Sequence, residues 1–251
     1  MRIIARLDIK NTNLIKSINL EGLRVIGDPN KFAKKYYKDG ADELIFMDLV
    51  ASLYNRNSLH DIIKKVSNNV FIPITVGGGI RSIDDALKIF DSGADKIAIN
   101  TAAVKNSSLI NILAKRFGSQ AVVISIEAKR KINDWEVYIE SGREQTNISV
   151  KNWVKEATDQ GCGEILITSI DQEGTGRGFD TELLSTITKN TSVPVIASGG
   201  FGDLKDVKAG FIDSKVDAIA VADAIHYNKI NLRQIRKTGL DLGLNLRDFN
   251  Q

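Results

Sequence analysis

The chain has 251 residues, 43% of them apolar and 26% charged, which favours one large globular domain over residues 1–251 and excludes a disordered protein. Its single cysteine, Cys162, cannot form an internal disulfide, and two histidines supply neither a zinc site nor a Ser-His-Asp triad well. We therefore expect no metal, no cofactor and chemistry based on carboxylates. The net charge of +3 favours small anionic ligands, and without clustered cations and aromatics nucleic-acid binding is not expected.

The N-terminal segment MRIIARLD carries charges at Arg2, Arg6 and Asp8. These charges leave no uninterrupted apolar stretch of signal-peptide or membrane-spanning length. The sequence therefore predicts a cytoplasmic protein that does not act at a membrane.

Short β-rich runs alternate with amphipathic stretches along the chain. The runs are 2–8, 43–49, 72–78, 96–100, 121–127, 164–170, 194–200 and 218–223. Four of the stretches between them, 28–40, 82–93, 149–161 and 180–190, open with an Asp or Ser that can cap a helix. Because strand and helix alternate eight times, the connections must be parallel crossovers, and the predicted fold is an α/β protein, a (βα)8 TIM barrel. A doubly wound open sheet is the alternative.

The two halves of the chain resemble each other. The glycines that begin at 77 and 199 lie 122 positions apart, and the runs ADKIAI and VDAIAV place Asp95 and Asp217 at the same spacing. An internal repeat of this kind predicts two similar half-barrels of four strands each.

A lone glutamate, Glu127, ends the apolar run AVVISIE, as Asp8 ends the first run. The C-terminal ends of barrel strands carry the chemistry in this architecture, so we expect the two carboxylates to face each other across the mouth. Paired acids suit general acid/base catalysis, because unequal environments leave one ionised and the other protonated. The alternative is a structural ion pair with Lys129, Lys10 or Arg6.

Two glycine-rich stretches, VGGGI (76–80) and ASGGFG (197–202), follow apolar runs and precede helical patterns. Helix N-termini offer unpaired N–H groups to an anion, and a close approach of backbone to phosphate needs glycine. Ordinary strand-to-helix turns would give the same pattern. Their symmetric positions favour a ligand with a phosphate at each end.

Nine runs together carry a family resemblance over essentially the whole chain: RIIARLDIKN, GDP, ADELIFMDLVAS, ITVGGGIRS, ADKIAINTAAV, GCGEILITSID, EGTGRGFD, PVIASGGFG and IHYNK. They resemble the cyclase subunit of imidazole glycerol phosphate synthase more than the related isomerase of the same pathway. The resemblance implies that Asp8 and Glu127 are the catalytic acid/base pair. It implies one phosphate site at Gly78, Gly79, Asn100 and Thr101, and a second at Gly174, Gly199, Gly200 and Ala222.

The resemblance also implies a partner, a class I glutaminase that docks on the N-terminal face of the barrel and supplies ammonia. The positions that match the family's ammonia gate are Arg2, Glu43, Lys96 and Glu164. Two cations and two anions can neutralise one another and still leave a polar entrance, although a salt-bridged barrel floor is the alternative. Asp95 matches a glutaminase contact of the family.

Several positions depart from the family pattern. Glutamate stands at Glu127 and Glu173 where the family has aspartate, and the first loop, KNTNLIKS (10–17), retains the family's lysine at Lys16. Asp223 stands where the family has a small hydroxyl residue that meets the second phosphate, and its carboxylate would repel that phosphate. Arg177 or Lys229 could compensate this charge.

Two functions are therefore open at this stage. The first is the cyclase, which uses ammonia to cleave and cyclise a bis-phosphorylated ribulosyl aminoimidazole carboxamide intermediate. The second is an ammonia-conducting subunit, without cyclase activity, that serves a sugar amidotransferase in the amidation of a bacterial surface sugar. The floor residues match the family pattern while several mouth residues depart from it, which favours the second function. The glycines of the two expected phosphate sites favour the first function.

Overall fold

The computed structural model describes residues 1–51 and 59–249; residues 52–58 and 250–251 lie outside the description. The strands within this part are β1 (Arg2–Lys10), β2 (Asn13–Ile18), β3 (Glu21–Gly27), β4 (Glu43–Asp48), β5 (Ile74–Gly77), β6 (Lys96–Ile99), β7 (Val122–Arg130), β8 (Trp135–Ile139), β9 (Glu144–Ser149), β10 (Glu164–Ser169), β11 (Val195–Ser198) and β12 (Ala218–Val221). Strands β1, β4–β7 and β10–β12 are parallel neighbours, and β12 pairs with β1 to close a barrel. The predicted (βα)8 barrel is confirmed, and each of the eight predicted runs overlaps a barrel strand.

Helices of the described residues surround the barrel: α1 (Pro29–Lys38), α2 (His60–Ser67), α3 (Ile83–Asp91), α4 (Thr101–Lys105), α5 (Ser108–Phe117), α6 (Val150–Asp159), α7 (Thr181–Thr188), α8 (Lys205–Lys208), α9 (Asp223–His226) and α10 (Leu232–Asp241). The predicted caps Asp28, Ser82 and Asp180 accept backbone N–H groups of the first turn. Ser149 is the N-cap residue of α6 as predicted, but its side chain makes no capping hydrogen bond; its backbone is extended and ends β9. No helix of the described residues is long and apolar enough to cross a membrane.

Two antiparallel hairpins were not predicted. The first hairpin (β2–β3) follows β1, and the second hairpin (β8–β9) follows β7. They begin at positions 13 and 135, which are again 122 apart, so the repeat of the two halves includes the hairpins. Because β1 and β7 extend into these hairpins, they continue past Asp8 and Glu127, and the prediction that both acids end their strands is wrong.

Aspartates at the N-terminal face connect neighbouring barrel strands. Each aspartate stands directly before one barrel strand. Its side chain accepts the N–H group of a residue near the start of the previous barrel strand, so it links the two strands at the floor of the barrel. The bonds are Ile3 to Asp42 (2.7 Å), Ile74 to Asp95 (2.8 Å) and Val195 to Asp217 (2.9 Å). Asp95 thus has a structural role, and its predicted contact with a glutaminase stays a prediction.

The barrel interior is layered because side chains alternate along each strand. On β1 the charged Arg2 is followed by Ile4, then by Arg6 and Asp8. Ile4 belongs to a buried apolar cluster inside the barrel, whose other barrel-strand members include Ile45, Val123, Leu166 and Ile196. A larger apolar core lies between the sheet and the helices. An apolar layer therefore separates a charged floor from a charged mouth. The assignment of all of residues 1–251 to one domain stays a prediction.

Candidate active site

Asp8 is buried at the mouth, with 1% of its surface exposed, and is held between two cations. The Arg6 Nε group donates to Oδ1 over 2.9 Å, and Lys16 Nζ lies 3.9 Å from Oδ2. Oδ2 makes no hydrogen bond with any described residue. Asp8 is therefore paired as a carboxylate and keeps one oxygen able to accept a proton.

Glu127 is also buried, but its partners differ from those of Asp8. The Gly142 N–H and the Asn100 side-chain amide both donate to Oε2, over 2.8 and 3.1 Å. Burial raises the pKa of Glu127 to about 7, with the like charge of Asp8 adding to the effect, although Arg6 and the Gly142 N–H oppose it. Glu127 therefore holds a proton more readily than an ordinary glutamate, and the two acids have the unequal environments that acid/base catalysis needs.

Arg6 crosses the barrel interior beneath the acids. Its Nη1 group donates to Thr168 Oγ1 on β10 over 2.9 Å and to Ser198 Oγ on β11 over 3.0 Å, while Nε binds Asp8. The structural ion pair considered for Asp8 is thus present, and it fixes the carboxylate without occupying Oδ2. The sequence contained a signal for this bridge, because alternation along β1 places Arg6 on the same face as Asp8.

The turns of the two hairpins meet over the mouth. Gly142 has a φ of +77°, and a Cβ added there would lie 2.7 Å from Leu20 Cδ1 in the turn of the first hairpin. The backbone conformation favours glycine, and an added Cβ would displace the end of the Leu20 side chain. The backbone amide that binds Glu127 is thereby fixed by contact between the hairpins.

The four residues of the first predicted phosphate site line one cavity of about 370 Å³, and Glu127 lines the same cavity. Gly78 and Gly79 have φ values of +104° and +74°. The side-chain amide of Asn100 is used on Glu127 and on the Tyr138 carbonyl, so it is committed to the acid.

Two cations line this first cavity and were missed as site residues. Arg81 lies two positions after Gly79, and Lys105 forms an ion pair with Glu140 over 3.1 Å. The Thr101 hydroxyl accepts the Glu140 N–H over 3.1 Å, so this side chain holds the turn of the second hairpin. An arginine next to a glycine turn was the available signal for Arg81.

The second predicted phosphate site is also brought together, since Gly174, Gly199, Gly200 and Ala222 line one cavity; we call it the glycine cradle. Its room is only about 10 Å³, which holds about one water molecule. Lys16 and Glu173 form a buried ion pair in its lining. The cradle is thus assembled as predicted but filled by side chains.

Asp223 lines the glycine cradle, as its place in the repeat predicts. Its Oδ2 lies 2.5 Å from Lys229 Nζ, so Lys229 compensates the carboxylate. Arg177, the other candidate, donates instead to the Asp171 carbonyl over 3.4 Å.

The four predicted gate residues meet on the floor of the barrel and form a closed ring of ion pairs; we call it the floor ring. Arg2 contacts both Glu43 (2.6 Å) and Glu164, and Lys96 contacts the same two acids at 3.2 and 3.0 Å. The two carboxylates are buried, while the side chains of Arg2 and Lys96 are 25% and 19% exposed. Opposite charges alternate around the entrance, so each acid is shared by two cations.

Comparison with known proteins decides the family. The family described as histidine biosynthesis protein matches residues 2–231. The chain belongs to this family. It is 60% identical over 207 residues to the imidazole glycerol phosphate synthase subunit HisF of Legionella pneumophila. The aligned region covers 82% of this chain and 98% of that protein. The same subunit of Wolinella succinogenes is 44% identical over 249 residues (97% and 98% covered), and that of Alkaliphilus metalliredigens is 41% identical over 247 residues (98% of both).

These relatives confirm the resemblance to the cyclase subunit and support the cyclase over the sugar-amidation alternative. The match to the histidine biosynthesis family extends through β1 to α9, so it includes both acids, both cavities and the floor ring. The chain therefore belongs to the family although Glu127, Glu173 and Asp223 differ from the residues expected from the family resemblance.

Asp223→Ser is expected to strengthen the binding of a bis-phosphate to this member of the family. The substitution removes a carboxylate from the predicted second phosphate site and frees Lys229, but the existing ion pair already screens part of the repulsion. We expect a gain of about 1 kcal/mol, or roughly a fivefold lower Kd. Calorimetric titration with a bis-phosphate analogue measures it, and a mono-phosphate that binds beside Gly78 serves as the control. Equal bis-phosphate affinity in both proteins would contradict the repulsion.

Proposed function

We propose that the protein is the cyclase subunit of imidazole glycerol phosphate synthase. It uses ammonia to cleave and cyclise a bis-phosphorylated ribulosyl aminoimidazole carboxamide intermediate. The observation that carries this proposal is the pair of unlike acids at the mouth: Asp8, paired with two cations, and Glu127, whose pKa is raised to about 7. A cavity lined by glycines and cations adjoins Glu127.

The two acids divide the proton transfers of the reaction. Ammonia that attacks the intermediate must lose a proton, and the nitrogen that leaves when the amidine bond breaks must gain one. Asp8 accepts the first proton on Oδ2, the oxygen without a hydrogen bond among the described residues. Glu127 donates the second in its protonated form, which its raised pKa of about 7 makes accessible near neutral pH.

The first cavity holds one phosphate of the intermediate. Gly78 and Gly79 allow the close approach of the backbone, and Arg81 and Lys105 supply positive charge around the cavity. The phosphate then lies beside Glu127, which lines the same cavity. This arrangement brings the general acid to one end of the substrate.

The partner is a class I glutaminase that forms a heterodimer on the N-terminal face. The floor ring is the ammonia gate, and Asp95 lies at the glutaminase contact. Ammonia is small and neutral, so it can cross the apolar layer around Ile4, whereas an ion would lose its hydration there. The complex acts in the cytoplasm.

Turnover with ammonium salts tests the proposal without the glutaminase. The purified protein, supplied with ammonium chloride and the bis-phosphorylated intermediate, should release the imidazole product. The filled glycine cradle and Asp223 favour a second candidate, the ammonia-conducting subunit of a sugar amidotransferase. Glutaminase binding without any turnover at saturating ammonium would support that second candidate and reject the cyclase.

The same assay has an expected pH dependence. Because Glu127 acts as the acid, its protonated form is active, and kcat/KM should fall as pH rises through about 7. The sign follows from the raised pKa, since the carboxyl is protonated below that value and ionised above it. Ammonia must be held at constant free-base concentration across the series. A kcat/KM that rises through pH 7 under this condition would assign Glu127 the role of base.

A further inference from the structure

A row of inward-facing side chains crosses three neighbouring strands at the level of Glu127. In the parallel register, Glu127 on β7 pairs with Thr168 on β10, and Thr168 pairs with Ser198 on β11. Paired positions of neighbouring strands lie on the same face of a sheet, so all three side chains enter the barrel interior. Ser198 pairs in turn with Ala220 on β12, the strand beside β1. The row therefore connects the acid of β7 to a small residue next to β1.

Arg6 extends along this row from the side of β1. Because Ala220 is small, the Arg6 side chain can pass in front of β12, and its Nη1 group donates to Thr168 Oγ1 over 2.9 Å and to Ser198 Oγ over 3.0 Å. All of these residues are buried. The two bonds place the guanidinium beside the register partner of Glu127, while Nε remains on Asp8.

The acids of the mouth alone do not determine where this cation lies. Burial lowers the pKa of Arg6, but the charges of Asp8, Glu173 and Glu127 all raise it, so three acids attract the same guanidinium. Lys16, the other buried cation nearby, is paired with Glu173. Hydrogen bonds to hydroxyl groups have preferred directions, and the planar guanidinium presents its donors in a fixed geometry. The two hydroxyls therefore select one position among those that the acids favour.

We propose that Thr168 and Ser198 are positioning residues of the mouth, which hold the Arg6 guanidinium between the two acids so that one cation acts on both. Asp8 receives a hydrogen bond from Nε, and Glu127 receives the charge through space. This role requires no contact between either hydroxyl and the substrate. The inference rests on the proposed cyclase function for its effect on turnover, whereas its effect on the proton of Glu127 is independent of catalysis.

The expected effect on Glu127 has a definite sign. Burial raises the pKa of Glu127 to about 7; Arg6 and the Gly142 N–H oppose this increase, and the like charges of Asp8 and Glu140 add to it. A guanidinium that leaves its position takes a cation away from the carboxyl, so the pKa of Glu127 should rise further. The hydroxyls thus keep the titration of Glu127 close to neutral pH.

The double variant Thr168→Val/Ser198→Ala tests the proposal, because it removes both acceptors of Nη1 and keeps the charge of Arg6. The carboxyl carbon of Glu127 is followed by NMR against pH in the intact protein, and its signal is assigned by its loss in Glu127→Gln. The midpoint should rise by about half a pH unit or more, as expected when one nearby charge moves away. Thr168→Ser keeps a hydroxyl and should titrate as the wild type does.

Ser125→Ala is the matched control. Ser125 is buried on β7, two positions before Glu127, so it enters the same barrel interior, and within the described part of the chain it makes no hydrogen bond with Arg6. A midpoint that moves through general loosening of the interior would move in this variant too. If the double variant does not fold, Thr168→Val alone should give a smaller rise. An unchanged midpoint in the folded test variant, or an equal rise in Ser125→Ala, would overturn the proposal.

Turnover separates this inference from the proposed function. In an active cyclase, the pH at which kcat/KM falls should rise in Thr168→Val by the same amount as the NMR midpoint, since protonated Glu127 is the active form. A shifted midpoint in a chain without turnover would support the positioning role and reject the cyclase. An unshifted midpoint in an active cyclase would overturn the positioning role alone.

Discussion

Glu127→Gln is expected to reduce ammonia-dependent cyclisation at least about 10³-fold, within the range that general acid catalysis contributes. The amide is close to the acid in size and can still accept the Gly142 N–H, but it has no acidic proton to transfer to the leaving nitrogen. The fold should be retained, because a buried carboxyl with a pKa of about 7 is already largely neutral below that pH. The measurement is turnover with ammonium chloride and the bis-phosphorylated intermediate.

Glu127→Asp is the matched variant, since it keeps a titratable acid and shortens the side chain by one methylene. It should retain measurable turnover, with a changed pH profile because the shorter carboxyl loses contact with Gly142. Circular dichroism and the binding of a mono-phosphate establish that each variant is folded. Turnover of Glu127→Gln at the wild-type rate would remove Glu127 from the catalytic pair.

Lys96→Glu is expected to uncouple the protein from its glutaminase. The substitution leaves three acids around Arg2 and converts a neutral floor ring into one with a net charge of two negative units. Breaking a buried ion-pair network in this way costs on the order of 3 kcal/mol of stability. Glutamine-dependent turnover should fall by at least tenfold, whereas turnover with ammonium chloride should fall much less because the mouth is distant.

Lys34→Glu, on the exposed face of α1, controls for the change in net charge. If Lys96→Glu does not fold, Lys96→Gln removes one cation without adding an acid and tests the same coupling. Glutaminase capture by each folded variant distinguishes lost docking from lost ammonia passage. Equal losses of glutamine-dependent and ammonium-dependent turnover would contradict the role of the floor ring as a gate.

The barrel could be predicted from the sequence because its strands are short apolar runs between well-marked helices. The repeat then placed Asp8 and Glu127 in equivalent strands, and the glycine runs indicated two candidate phosphate regions, whose ligands stay a prediction. These features depend on local pattern and on spacing, which a single sequence shows directly. The four charges of the floor ring came from the family resemblance, and the structure shows that they pair.

The hairpins were missed although the sequence contained their signal. Asn19 in the first hairpin and the Ser141–Gly142 pair in the second are residue types that favour turns, but the barrel pattern assigned these segments to loops. The choice of Lys229 over Arg177 as the partner of Asp223 could not be predicted. It depends on how the segment after β12 folds back, and sequence spacing does not determine that path.

Each half of the barrel contains both a mouth acid and the hairpin that contacts it. Lys16, which lies near Asp8, is eight positions from it along the chain, and Gly142, which binds Glu127, is fifteen positions away. Duplication of a four-stranded half would copy an acid together with the hairpin that contacts it. In the present chain the group that contacts the acid is an ammonium group in the first half and a backbone amide in the second. A symmetric ancestor with two like acids could in this way become a donor and an acceptor of protons without moving either carboxyl group to a different strand.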